Sequence, residues 1–119
     1  MRVIAVDDDP EILMVMRELL KDQYLELELC NDPFVAAAQF ETKEFDLIIS
    51  DFEMPEMNGV ELFEHLKEQS RIPRQFIFFT SHIRILKQMF LCCHGVDILF
   101  VEKPDWASFL KTINAIIKN

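Results

Sequence analysis

Four short apolar runs in this chain each lead into a residue that phosphate chemistry can use. Residues 3–6 run into Asp7 and Asp8, and residues 47–50 run into Asp51. Residues 76–79 run into Thr80, and residues 98–101 are followed, one position on, by Lys103 and Pro104. If the runs are parallel strands of one sheet, three carboxylates, a hydroxyl and an ammonium meet on one edge. Carboxylates that close repel, and a hard divalent cation relieves the repulsion. Magnesium suits the site: it takes oxygen ligands, keeps several waters, and typically binds one or two carboxylates with phosphate oxygens. One aspartate can then act as a nucleophile and form an acyl phosphate. Asp51, at the end of a fully apolar run, is the better candidate; Asp7 and Asp8 then hold the metal. Lys103 would supply positive charge opposite the metal, and Thr80 would donate a hydrogen bond to a phosphoryl oxygen. Each piece alone has a plainer reading, as a helix cap, a turn residue or a loop charge. Their convergence on one edge is the case for a site. A phosphoryl group added there sets about two negative charges beside Thr80 and Lys103, enough to bias neighbouring loops.

The elements needed to position these groups are present. Apolar runs alternate with helix-period segments, which predicts an α/β fold with a parallel sheet covered on both faces. Strands are expected over residues 2–6, 24–30, 46–50, 75–79 and 97–101. Helices are expected over 10–21, from Asn31-Asp32-Pro33, from Asn58-Gly59, over 83–93, and from Asp105-Trp106. Asp9 is placed to cap the first helix with Pro10 in its first turn. The expected inner faces are Ile12, Met16, Leu19 and Leu20; Phe34, Ala37, Ala38 and Phe40; Val60, Phe63 and Leu66; and Leu110, Ile113 and Ile117. In strand two, Leu25, Leu27 and Leu29 alternate with Glu26 and Glu28, which marks a half-wet edge strand. Helix four carries Ile83, Ile85, Leu86, Met89 and Phe90 over an arc wider than one core stripe needs, so part of it is expected on the surface.

The totals bound the partners. The chain has 119 residues, a length for one domain (1–119) with a real core. A formal net charge of −9 argues against gripping nucleic acid or an anionic membrane face, both of which reward basic surfaces. No window reaches the ~18 apolar residues of a membrane span, and residues 1–2 lead straight into a strand-like run with no cleavage pattern. Cys30, Cys92 and Cys93 are odd in number, two of them adjacent, which suits reduced thiols in a cytoplasmic protein better than a disulfide framework. His65, His82 and His94 lack ligand spacing.

The set of motifs resembles the receiver domain of bacterial two-component response regulators. The matching pieces are residues 6–10 (VDDDP), 46–55 (DLIISDFEMP), 57–59 (MNG), 79–81 (FTS), Gly95 and Lys103-Pro104, in the family's order across the chain. The resemblance implies a flavodoxin-like, doubly wound, five-stranded parallel sheet of order 2-1-3-4-5 with five helices. It implies that Asp51 is the phosphoacceptor, charged from the phosphohistidine of a sensor histidine kinase or phosphotransfer protein. Asp8, Asp51 and the backbone carbonyl of Glu53 resemble the direct Mg2+ ligands, with Asp7 acting through a bound water. Thr80 and Lys103 resemble the phosphate-contacting switch residues, and Phe100 stands at the switch aromatic position; from the residues alone Phe100 reads equally well as core. Glu53 and His82 lie two residues beyond Asp51 and Thr80, positions that border the path of attacking water, and are expected to tune the acyl-phosphate lifetime. Helix four, strand five and helix five are the expected surface for a second copy or an output partner. Ser81 replaces a frequent alanine, and Asp105-Trp106 replaces a common Pro-Phe stretch, with the site itself intact.

Two other functions fit some of these residues. Asp7-Asp8-Asp9 also matches the DxD nucleophile of haloacid-dehalogenase-like phosphatases, but no acidic pair near the C-terminus completes that metal site and the chain lacks room for a substrate cap. A receiver that binds partners without phosphorylation is the other; the intact set Asp7, Asp8, Asp51, Thr80 and Lys103 weighs against it.

Overall fold

The apolar runs pair edge to edge. The structure, a computed structural model, describes residues 1–89 and 96–118. Its strands are β1 (Arg2–Val6), β2 (Glu26–Cys30), β3 (Leu47–Ser50), β4 (Gln75–Thr80) and β5 (Asp97–Glu102). They form one parallel sheet in the order β2-β1-β3-β4-β5. The helices are α1 (Pro10–Leu20), α2 (Pro33–Gln39), α3 (Gly59–Glu68), α4 (Ile83–Met89) and α5 (Trp106–Lys118). The flavodoxin-like order expected from the resemblance is therefore the order found, with β2 on the edge.

Strand alternation sorts the core into two layers. Ile4, Val6, Ile48, Phe76 and Phe78 face Ala36, Phe40, Leu62, Phe63, Leu66 and Leu86. Val3, Ala5, Leu47, Ile49, Ile77 and Phe79 face Leu13, Met16, Leu20, Phe109, Ile113 and Ile116. Each fully buried side chain of this size contributes on the order of 2 kcal/mol. That burial holds the strand ends rigid where the charged residues emerge.

The helix faces differ from expectation by about one residue. α1 buries Leu13 with Met16 and Leu20, while Ile12 and Leu19 sit at the margin. α5 buries Phe109, Ile113 and Ile116 rather than Leu110 and Ile117, which pack at the border. α3 adds Leu62 to Phe63 and Leu66, with Val60 partly covered. α2 lies on its small face, Pro33, Ala36 and Ala37; Phe34 is half exposed and Ala38 exposed. The physical cause is common to all four. Packing against the sheet selects which of two adjacent apolar residues goes inward, and the other covers the rim of the stripe.

Strand boundaries also shift. β2 starts at Glu26, leaving Tyr24 95% exposed. β3 starts at Leu47, and Asp46 joins β1 just ahead of it: its N–H donates to the Arg2 carbonyl at 2.8 Å and its carboxylate accepts from the Arg2 N–H at 2.7 Å. In α4, Leu86 is buried while Ile85 and Met89 are exposed, as the wide apolar arc implied. The expected remainder of helix four, with Phe90, Cys92 and Cys93, lies outside the described residues, as do His94 and Gly95. Among the described residues no helix is long and apolar enough to cross a membrane.

Candidate functional site

Register brings the chemistry together. Val6 pairs with Ser50, Ser50 with Phe78, and Phe78 with Phe100, so four strands end side by side. Asp7 follows β1, Asp51 follows β3, Thr80 closes β4, and Lys103 follows β5. The Lys103 N–H donates to the Thr80 carbonyl at 3.0 Å, which extends the β4–β5 ladder by one step and aims Lys103 back over the edge. One carboxylate oxygen from each of Asp7, Asp8 and Asp51 lies within 4.8 Å of the other two. They line an open cleft of about 720 Å³, together with Glu53, Asn58 and Lys103.

The local backbone fixes each acid. Asp9 caps α1 by accepting from the Glu11 N–H at 2.9 Å, and its own N–H donates to Asp7 Oδ1 at 2.9 Å. The Asp7 N–H donates to the Cys30 carbonyl at 3.1 Å. The Asp51 N–H donates to the Val6 carbonyl at 3.0 Å, and Asp51 Oδ1 accepts from the Phe52 N–H at 2.7 Å. Asn58 and Glu61 form a reciprocal capping box at the start of α3. Gly59, in the first turn, lies so close to the Asp51 carbonyl oxygen that a Cβ there would collide with it and with Phe78.

The electrostatics are those of an acidic cluster held by one cation. Lys103 Nζ lies 3.0 Å from Asp51 Oδ2 and 2.7 Å from Asp7 Oδ2. The Asp51 contact is a hydrogen bond. The Asp7 contact is a short ion pair to Oδ2, a fully buried oxygen for which Lys103 supplies the positive charge. Burial pushes the Asp7 carboxyl above its ordinary range, and Lys103 and the Asp9 N–H pull it only partly back. Burial works to lower the Lys103 ammonium, but its contacts with Asp7 and Asp51 outweigh this and its pKa is raised. Asp8 is exposed. Three carboxylates gathered within 4.8 Å of one another on an open cleft, with one ammonium among them, are a donor set that suits a hard cation.

Beside the cleft, Thr80 is fully buried and its Oγ1 accepts from the His82 N–H at 3.2 Å. His82 Nε2 lies 3.2 Å from Glu53 Oε2, joining the loops after β3 and β4. Phe100 is half buried and stacks on Phe78 at 6.0 Å, with Lys87 Nζ 5.9 Å from its ring.

The pattern of the response regulator receiver domain matches residues 3–113. The chain belongs to the response regulator receiver domain family. It is 38% identical over 85 residues to the signal transduction histidine-protein kinase BarA of Escherichia coli K12, a match covering 69% of this chain and 9% of that protein. It resembles the chemotaxis protein CheY4 of Vibrio cholerae with a TM-score of 0.78 at 27% identity, over 97% of each chain. The fold also matches response regulator TrrA of Thermotoga maritima, solved in complex with Mg2+ and BeF, with a TM-score of 0.77 at 22% identity over 97% of each chain. The chain thus spans about a tenth of the first kinase's length. Receiver domains are phosphoacceptor signalling domains of two-component systems rather than ordinary enzymes, and the Asp7–Asp8–Asp51 cluster fits a phosphoacceptor site.

All the expected polar groups fall on this edge. Three features were not anticipated from the residues: the close approach of Gly59 to Asp51, the Cys30 carbonyl that anchors Asp7, and the Glu53–His82 contact. A glycine in a helix's first turn, where it weakens the helix, is the one sequence signal that pointed to any of them.

Proposed function

We propose that this receiver domain, residues 1–119, is a phosphoacceptor switch whose nucleophile is Asp51. A carboxylate oxygen of Asp51 attacks the phosphorus of a phosphohistidine on a sensor histidine kinase or phosphotransfer protein. The P–N bond breaks, the imidazole leaves and takes up a proton, and Asp51 carries an acyl phosphate. The observation that carries this reading is the gathering of Asp7, Asp8 and Asp51 around Lys103 at the strand ends.

The donor set fits Mg2+, as does the Mg2+ in the TrrA complex. Asp8, Asp51 and the Glu53 carbonyl would hold it directly, and Asp7 through water. When bound, it offsets the charge of the phosphoryl oxygens. Lys103 leaves its carboxylate partners to meet the phosphoryl group, and Thr80 gives up the His82 N–H to donate to it. The space Thr80 leaves lets the Phe100 ring turn inward. Water then hydrolyses the acyl phosphate, and the Glu53–His82 pair at the mouth sets how fast. The exposed Ile85 and Met89 of α4 belong to a surface, with β5 and α5, for a second copy or an output partner. The setting is the cytoplasm, where the buried, unpaired Cys30 stays reduced.

Intact-mass analysis after incubation with acetyl phosphate and Mg2+ tests the reading. One phosphoryl group is expected on the parent and none on Asp51→Asn. Equal labelling of both would refute Asp51 as acceptor, and repeated turnover of a phosphate monoester would favour a phosphatase.

A further inference from the structure

The peptide unit between Asp51 and Phe52 is held at both ends. Its carbonyl, the Asp51 oxygen, accepts from the Ser50 hydroxyl at 2.8 Å. Its N–H, on Phe52, donates to Asp51 Oδ1 at 2.7 Å. Turning that peptide plane breaks both bonds at once, so the hydroxyl of Ser50 and the side-chain direction of Asp51 are mechanically linked. The opposite side of the same carbonyl oxygen is closed by Gly59, where a Cβ would collide. The Gly59 N–H in turn donates to the Phe52 carbonyl at 2.8 Å. With Oδ1 fixed by the peptide, Oδ2 is the oxygen presented to Lys103 at 3.0 Å.

Ser50 is an unusual residue for its place. It ends a strand whose other members are Leu47, Ile48 and Ile49, and it is fully buried. A valine or alanine would suit the strand and the core without the cost of burying a hydroxyl. Among the described residues, the hydroxyl donates to the Asp51 carbonyl.

We infer that Ser50 is a positioning residue for the phosphoacceptor: its hydroxyl locks the Asp51–Phe52 peptide and so aims the Asp51 carboxylate into the cleft. It touches neither donor nor phosphoryl group; it acts through Asp51. The inference rests on the reading of Asp51 as acceptor given above.

The test compares the parent, Ser50→Ala, Ser50→Cys and Asp51→Asn. Ser50→Ala keeps the packing and removes the hydroxyl; Ser50→Cys keeps a weak donor of similar size. The rate constant of acyl-phosphate formation at saturating Mg2+ and acetyl phosphate is expected to fall roughly tenfold in Ser50→Ala, about 1.4 kcal/mol. Ser50→Cys is expected to fall between the two. The Mg2+ dissociation constant, read by titration calorimetry, should stay within about twofold, because one neutral hydrogen bond to the backbone leaves the ligand charges in place. The Phe52 amide is the readout that a purely structural role would not move. Its NMR signal should lose the downfield position and low temperature coefficient of a hydrogen-bonded N–H in Ser50→Ala. Parent-like rate and parent-like Phe52 signal in Ser50→Ala would overturn the inference while leaving Asp51 as acceptor. A slowed rate with the Phe52 signal unmoved would overturn it too, since the fall would then come from elsewhere. No labelling of the parent, or labelling that survives Asp51→Asn, would overturn the acceptor reading and this inference with it.

Discussion

Lys103→Met should destabilise the protein by an amount that depends steeply on pH. Lys103 Nζ sits 2.7 Å from Asp7 Oδ2 and 3.0 Å from Asp51 Oδ2. At an effective dielectric of ~20, each contact is worth about 6 kcal/mol before desolvation is counted. Losing one partner of such a buried cluster typically costs about 3–5 kcal/mol. A second bound follows from the proton. With the ammonium gone, Asp7 is a fully buried carboxylate facing Asp51, and its cheapest escape is to take up a proton. At pH 7, protonating a carboxyl whose unfolded value is about 4 costs roughly 4 kcal/mol; at pH 5 it costs about 1.4 kcal/mol. The sign is therefore fixed. Asp7 is already raised in the parent, and raising it further makes the variant lose stability as pH climbs from about 4 towards neutrality. The Lys103 ammonium, itself raised, contributes its stability to the parent throughout that range and loses it only above its ordinary value. Urea unfolding of parent and Lys103→Met at pH 5 and pH 7, without Mg2+, measures the effect. The difference should grow by about 2–3 kcal/mol over those two units. Added Mg2+ should raise the melting temperature of Lys103→Met more than that of the parent, because the competing ammonium is gone. A pH-independent loss, or one below about 0.5 kcal/mol at pH 7, would refute the reasoning.

Gly59→Ala should cost about 1–3 kcal/mol in denaturant unfolding and slow acyl-phosphate formation, since its Cβ would meet the Asp51 carbonyl; an unchanged midpoint would show the loop yields freely. Asp9→Ala should lose about 1 kcal/mol, by thermal or urea unfolding, from the cap of α1, while the backbone N–H of residue 9 keeps its bond to Asp7 Oδ1. Glu53→Ala and His82→Ala should each change the dephosphorylation rate of the acyl phosphate, because either one opens the 3.2 Å contact at the mouth; unchanged rates in both would end the rate-tuning reading. Light scattering with and without beryllofluoride should show a gain in mass if the exposed Ile85 and Met89 join two copies, and a constant mass would remove a phosphorylation-dependent homodimer.

The sheet and the polar edge were legible because they rest on short-range signals. A short, mainly apolar run gives way to polar residues at or next to the strand end, so Asp7, Asp51, Thr80 and Lys103 declare their own positions. The half-polar pattern of residues 25–29 placed β2 on the edge for the same reason. The helix faces were less legible. Ile12 and Leu13, or Phe109 and Leu110, are adjacent apolar residues, and only the rotation set by the sheet decides which goes inward. Contacts across loops were least legible of all. Glu53 and His82 were each named by position, yet their pairing depends on the conformation of two loops, which no periodicity encodes.

The charges on this edge oppose one another, and the function follows from that opposition. Core burial of β1 and β3 holds the Asp7 and Asp51 carboxylates close together at the strand ends, and burial raises the pKa of Asp7. Lys103 resolves part of the conflict by sharing one ammonium between two carboxylates, and an exposed Asp8 keeps the third open to solvent. Any cation or phosphoryl group entering the cleft changes the partners of Lys103, and the Lys103 backbone is tied to the Thr80 carbonyl. Thr80 Oγ1 is tied to the His82 N–H, and His82 to Glu53 across the mouth. A local change of charge at Asp51 therefore has a path of four successive contacts, through Lys103, Thr80 and His82 to Glu53, into the loops after β4 and β3.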